Sequence, residues 1–137
     1  MAFTDLPDDP QDLPLSDPAY TADVLDLVVP ERDRHRGAIA VLLCDDEDRL
    51  LVPAIVGELP DDLSEAERET ALRSLVAAAD ERGSVLVAVA RRQGLSIRPG
   101  DQAWRRAATT ACAEGPRLIG VYVITPEGSR AVPAEPA

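Results

Sequence analysis

An apolar strand that runs straight into an arginine-rich loop constrains this chain more than any other feature. Residues Val85–Ala90 are all apolar, and Arg91, Arg92 and Gln93 follow them directly. An unbroken apolar run of this length is typical of a strand that is covered on both faces of a sheet. In α/β domains ligands bind beyond the carboxyl ends of the strands. The loop after this strand, which ends where Pro99-Gly100-Asp101 opens a helix, is therefore the predicted functional site.

The hydrophobic patterns elsewhere predict a mixed α/β (α+β) fold. A mixed sheet of about five strands carries two main helices and a short N-terminal helix. Pro53 cannot donate a hydrogen bond within a sheet, so its strand is expected at an edge or at a bulge. The predicted strands are Ala38–Cys44, Leu50–Val56, Val85–Ala90, Leu118–Ile124 and Ser129–Val132.

Capping signals and apolar stripes locate the two main helices. Ser64-Glu65-Ala66-Glu67 is a capping box, in which the serine and the second glutamate each satisfy an exposed N–H group. Leu72, Leu75 and Val76 then form an apolar stripe at helical spacing. The second helix is expected to take Asp101 as its N-cap and to bury Trp104 in the core.

The N-terminal third of the chain is predicted to be less regular. Residues 1–16 read as a disordered, acidic and proline-rich arm, because aspartate and proline dominate them. Residues 17–36 are expected to hold a short helix, which Pro30 ends, followed by a charged connector. A strand through Val24–Val29 is the alternative. Residues 37–133 then form the main domain, and residues 134–137 form a tail.

The composition favours some partners and disfavours others. The chain has a net charge of -11, and all 14 basic residues are arginine. An acidic protein repels phosphate backbones and anionic membrane surfaces, so nucleic acid and membranes are not expected partners. No export signal or membrane-spanning run is visible, which predicts a cytoplasmic protein. Cys44 and Cys112 lie in apolar patterns and are expected to be buried thiols rather than a disulfide.

Residues 37–133 resemble the JAB/MPN domain family, and most closely its RadC-like branch. The resemblance implies a JAB/MPN-like fold, of the cytidine-deaminase-like sandwich type. It rests on the order and spacing of several short motifs. They are Arg49-Leu50-Leu51, Gly57-Glu58-Leu59, Arg68-Glu69, Pro99-Gly100-Asp101 and Leu118-Ile119-Gly120-Val121, with a Pro-Glu-Gly turn before the last strand.

The resemblance implies a zinc hydrolase site that has been lost. By family resemblance, Glu69 matches the catalytic general base and Asp101 matches a zinc ligand. The His-x-His motif of the family falls on Ala90-Arg91-Arg92, and arginine has no lone pair to give to a metal. Catalytic zinc needs three protein ligands. We therefore expect no metal, no cofactor and no confident catalytic residue.

Simpler interpretations of these residues remain open. Glu69 lies beside Arg68 and Arg73 on a charged helix face, where surface ion pairs are common. Asp101 caps a helix equally well without any ligand. The arginines of the loop and of the next helix are the main candidates for ligand binding. They are Arg91, Arg92, Arg98 and Arg105.

Two functions from different classes follow from these observations. The first is a non-catalytic JAB/MPN-like pseudoenzyme, a binding or scaffolding module for a protein partner. The second is a protein or enzyme that binds a small anionic ligand at Arg91, Arg92 and Arg98. A residual metal-dependent hydrolase is the third and weakest. The sequence indicates neither the ligand, nor the partner, nor the oligomeric state.

Overall fold

The computed structural model describes residues 14–57, 59–60 and 62–133. Their elements follow one another as an N-terminal helical pair, a hairpin, and two helix–strand units that end in a second hairpin. The helices are α1 (Pro18–Val28), α2 (Glu31–Arg36), α3 (Glu65–Val76) and α4 (Pro99–Ala111), and the strands are β1 (Ala38–Cys44), β2 (Leu50–Gly57), β3 (Ser84–Ala90), β4 (Arg117–Thr125) and β5 (Gly128–Ala131).

The five strands form one mixed sheet in the order β2-β1-β3-β4-β5. The β3–β4 pair is parallel, because α4 carries the chain back across the sheet between them, and the other three pairs are antiparallel. The predicted α+β class, with its mixed five-stranded sheet, is confirmed. Pro53 lies on the edge strand β2, as its missing N–H requires.

Helices cover both faces of the sheet. Side chains that alternate along β1 and β3 point to opposite sides, so each strand contributes to two cores. On one side Leu72 of α3 and Trp104 of α4 join the strands. On the other side Val24, Leu25 and Val29, from α1 and the residue after it, do so. All seven residues of β3 are buried, which explains its unbroken apolar sequence.

The N-terminal region is more regular than the sequence indicated. The residues predicted as a charged connector form the helix α2, and α1 is a helix rather than the alternative strand. Residues 1–13 of the predicted arm lie outside the described residues. Its last three residues are docked: Leu15 is 1% exposed and its N–H donates to the Asp48 carbonyl oxygen at 2.7 Å. The predicted tail, residues 134–137, also lies outside the described residues.

Several local predictions are confirmed. Ser64 and Glu67 form the capping box at the start of α3. Cys44 and Cys112 are free and buried.

Among the described residues, no helix combines the length and the apolar character needed to cross a bilayer.

Candidate functional site

Arg91 organises the loop between β3 and α4. Its Nε donates to the Gly94 carbonyl oxygen at 3.0 Å, and its Nη2 donates to the Ser96 carbonyl oxygen at 2.7 Å. Its Nη1 meets the Asp101 carboxylate at 2.5 Å. The side chain is 13% exposed. Each of the three nitrogens of the guanidinium thus makes one hydrogen bond, and Arg91 holds the loop in shape.

Asp101 is the internal counter-ion at the start of α4. Its side chain is 3% exposed, and its second oxygen accepts the Arg98 N–H at 2.7 Å. The helix begins at Pro99, so Asp101 is the third residue of the helix and not the N-cap that the sequence suggested. A carboxylate in the first turn stabilises the positive end of the helix. A carboxylate of the chain itself therefore already lies at that end of the helix.

Glu69 takes part in a surface ion pair. It lies on α3 one turn before Arg73, and the two side chains are 2.6 Å apart. The Glu69 side chain is one-third exposed. The arrangement matches the simpler of the two interpretations made from the sequence, in which Glu69 is a charged residue on a helix surface.

The two carboxylates that the resemblance would assign to a zinc site, Asp101 and Glu69, do not fit a zinc ion as they are placed here. Asp101 is bound by Arg91, and Glu69 is bound by Arg73. A guanidinium beside the carboxylate would also repel a dication. No three His, Cys, Asp or Glu side chains of the described residues cluster in a way that could hold a metal ion.

Two adjoining cavities open where β3 ends. The basic pocket has a volume of about 310 Å³, and the apolar cleft beside it has a volume of about 380 Å³. Gly37, Arg91 and Arg98 line both. The basic pocket is lined by His35, Arg36, Gly37, Arg91, Arg92, Gln93 and Arg98. The apolar cleft is lined by Gly37, Ala38, Leu59, Pro60, Arg68, Val89, Ala90, Arg91, Arg98, Gly100, Asp101 and Trp104.

Strand pairing brings the two halves of the basic pocket together. In the antiparallel β1–β3 pair Ala38 lies opposite Ala90. The residues just before β1, His35 and Arg36, therefore lie beside the residues just after β3. Sequence reasoning missed this contribution, because it placed His35 in a connector with no site role. The missing information was the pairing of β1 with β3, which local sequence patterns do not specify.

The other predicted arginines divide into two groups. Arg92 and Arg98 are exposed and line the basic pocket. The Arg98 Nη2 donates to the Gln93 carbonyl oxygen at 3.1 Å, so its guanidinium lies across the loop. Arg105 lines neither cavity. Its Nη1 donates to the Val132 carbonyl oxygen at 3.2 Å and fastens α4 to the chain after β5.

Arg68 is a residue of the apolar cleft that the sequence did not indicate as a ligand-binding residue. Its guanidinium carbon lies 5.5 Å from the centre of the Trp104 ring, and its Nη1 donates to the Leu63 carbonyl oxygen at 2.5 Å. Arg68 lies two turns before Val76 on α3, whereas Trp104 lies on α4. The contact therefore depends on how the two helices pack, and the sequence alone offered no signal for it.

Comparison with models of known protein families found no match, and comparison with curated proteins found none either.

Proposed function

We propose that this chain is a non-catalytic, JAB/MPN-like binding module that holds a small anionic ligand in the basic pocket. The single observation that carries the proposal is the lining of that pocket. It contains four arginines and one histidine, and none of the described residues that line it is acidic. In a chain with a net charge of -11, this segregation of positive charge creates a local field that attracts anions.

Some of the basic side chains of the pocket have a structural role within the chain, and others do not. Arg91 is balanced by Asp101. His35 and Arg36 form the last turn of α2, where basic side chains offset the negative end of the helix. Arg92 has no such role, since it is exposed and makes no hydrogen bond or ion pair with the described residues. Arg92 is therefore the residue most directly available to a ligand.

The arrangement supports binding rather than catalysis. Asp101 is the one acidic residue among residues 91–106, and its carboxylate already accepts from Arg91 and from the Arg98 N–H. A general base must have a lone pair within reach of the substrate proton. We accordingly assign no reaction to the chain. A protein partner, as in the scaffolding alternative, would bind to a surface outside the pocket.

Thermal denaturation with added anions tests the proposal. Phosphate, sulfate and pyrophosphate are each titrated at constant ionic strength. A ligand that binds only the folded state stabilises it by about 2.7 kcal/mol at one hundred times its Kd. We expect at least one of these anions to raise the Tm of the wild type in a saturable manner, and the Arg92→Ala variant to lose most of that rise.

Arg82→Ala is the matched control for charge. Arg82 is exposed and precedes β3, whereas the basic pocket follows β3, roughly 20 Å away along a strand of this length. Its loss should leave the effect of the anion unchanged. Arg91 is not used, because its removal would also disturb the loop. If no anion stabilises the wild type more than Arg92→Ala, or if Arg82→Ala has the same effect, the proposal is wrong.

A further inference from the structure

The apolar cleft is the natural continuation of the basic pocket. Gly37, Arg91 and Arg98 line both cavities, so a molecule held by the arginines of the pocket lies directly beside the cleft. The walls of the cleft differ from those of the pocket. Leu59, Pro60 and the end of β3 contribute apolar surface to it. An ordinary inorganic anion would leave this surface unused.

One of the polar groups that line the cleft is a guanidinium held against an indole ring. Trp104 is 5% exposed, and the Arg68 guanidinium carbon lies 5.5 Å from the centre of its ring. The hydrogen bond from Arg68 Nη1 to the Leu63 carbonyl oxygen limits rotation of the group. Guanidinium groups stack on planar unsaturated rings on either face. The Arg68 guanidinium lies over the Trp104 ring, and Arg68 also lines the cleft.

Arg68 carries an unused donor as well. Its Nε is buried and has no hydrogen-bond acceptor among the described residues. A buried donor without a partner costs about 1–3 kcal/mol, and a charged one costs more. An acceptor atom on a molecule in the cleft would recover that free energy. A plain alkyl chain would not, because it offers no acceptor and would further desolvate the guanidinium.

We propose that the ligand is a ring-bearing anion: a carboxylate or phosphate joined to a planar, unsaturated ring that stacks on Arg68 in the apolar cleft. The inference rests on the proposed function, since the basic pocket must hold the anionic group. The cleft volume of about 380 Å³ lies within the range of small-molecule sites. Nucleoside phosphates and aromatic carboxylates share this chemistry.

Four probes distinguish the contribution of the ring to affinity from that of the charge, and nucleoside phosphates from aromatic carboxylates. They are inorganic phosphate, ribose 5-phosphate, adenosine 5′-monophosphate and 2-naphthoate, each titrated calorimetrically into the full chain. We expect at least one ring-bearing probe to bind about tenfold tighter than the ringless phosphates, which is what stacking of one ring contributes. The ring-bearing probe that binds more tightly shows whether the ligand is of the nucleoside phosphate or the aromatic carboxylate class.

Arg68→Met and Arg68→Lys test the role of the guanidinium. Methionine keeps apolar packing against Trp104, and lysine keeps the charge without the planar face. Both variants should bind ring-bearing and ringless anions equally, while inorganic phosphate binds as in the wild type. Arg73→Met is the control on the same helix and should retain the preference. Because Trp104 is the only tryptophan, ring-bearing probes should also change its fluorescence, and phosphate should not.

The two proposals fail in different ways. If inorganic phosphate binds through Arg92 but rings add nothing, or if the preference for rings persists in both Arg68 variants, only the inference about the ring is overturned. If no anion of any kind binds to the wild type, the proposed function itself is overturned.

Discussion

The guanidinium of Arg91 lies 2.5 Å from the carboxylate of Asp101 and joins the end of β3 to the first turn of α4. Both side chains are largely buried, and the same guanidinium also holds two carbonyl oxygens of the loop. The pair therefore fixes the conformation in which Arg92 and Arg98 reach the basic pocket. It is the structural basis of the candidate site, whereas the sequence suggested that Arg91 would contact the ligand directly.

Breaking this pair should destabilise the protein. Removing one partner of a buried ion pair leaves the other without compensation and costs about 3–5 kcal/mol. We expect Asp101→Asn and Arg91→Ala each to lower the free energy of unfolding by about that amount, measured by urea denaturation. Arg92→Ala, which removes the same charge one residue later, should change it by less than about 0.5 kcal/mol. Equal effects of the two arginine variants would contradict the assigned roles.

Purified protein should contain no stoichiometric zinc. Asp101 and Glu69 are each held by an arginine, and no three His, Cys, Asp or Glu side chains in the described part of the chain are grouped so that they could bind a metal. Elemental analysis of protein purified without chelator checks this expectation, and EDTA should leave the Tm unchanged. The prediction would be wrong if zinc were present at one ion per chain and disappeared in the Glu69→Ala variant.

The stability of the protein should fall in acid through Asp48. Burial raises the pKa of this carboxyl, but hydrogen bonds from Arg117, Ser84 and Ser16 outweigh burial and hold the pKa below its ordinary value of 3.8. Ser84 Oγ donates at 2.6 Å, and Arg117 Nη2 donates at 2.5 Å. Because the pKa is lowered on folding, this stabilisation is present above pH 3.8 and is lost as the pH falls through the folded-state pKa.

Asp48→Asn isolates this contribution. Asp48 has a φ of 65°, a conformation that asparagine also tolerates, so the substitution leaves the backbone unstrained. We expect a loss of about 1–3 kcal/mol at pH 7, since the buried hydrogen bonds to the charged form are weakened. The difference from the wild type should shrink below pH 3.8. Asp46→Asn, in the exposed turn, should have little effect, and a loss that did not depend on pH would contradict the explanation.

The continuous elements of the fold could be predicted because their signals are local. The apolar runs of β1 and β3 and the capping box at Ser64 each lie within a few residues, and the structure confirms them. The helix α2 was missed because its six residues are all charged or histidine and offer no apolar stripe. Both of its acids lie in the first turn and three of its basic residues lie in the last turn, which matches the helix dipole, and that distribution was the available signal.

The candidate site could be predicted only in part, because it depends on contacts between distant segments. The sequence located the loop after β3 and two of its exposed arginines, Arg92 and Arg98. It could not show that Arg91 would pair with Asp101 inside the chain. Two of the three acceptors of Arg91 are backbone carbonyl oxygens, whose positions depend on the conformation of the loop. Arg36 and Arg68 enter through the pairing of strands and the packing of helices, which no short motif records.

Removal of residues 14–16 should cost stability, contrary to the expectation that residues 1–16 form a disordered arm. Leu15 is 1% exposed, and Thr21 Oγ1 donates to its carbonyl oxygen at 2.9 Å. Burial of a leucine side chain contributes about 1.5–3 kcal/mol. A chain that begins at Asp17 should therefore unfold at a lower urea concentration than one that begins at Pro14. Leu15→Ala in the full chain should reproduce most of the loss, and equal stability of the two truncated chains would show that Leu15 contributes nothing.

The two thiols should be unreactive in the folded protein. Burial, followed by the charges of Asp48 and Asp45, raises the pKa of Cys44 to about 12, and burial raises that of Cys112 to about 11. A thiol with the ordinary pKa of 9.0 is partly ionised at pH 8.5, and the thiolate is the form that reacts. We expect iodoacetamide at pH 8.5 to leave both cysteines unmodified in the native chain and to label both in urea, as measured by mass spectrometry. Because burial disfavours the thiolate only in the folded state, stability is retained below pH 9.0 and falls as the pH rises towards 11 and 12. Rapid labelling of Cys44 under native conditions would mean that the end of β1 opens readily, and the Asp48 network beside it would then be weaker than its hydrogen bonds indicate.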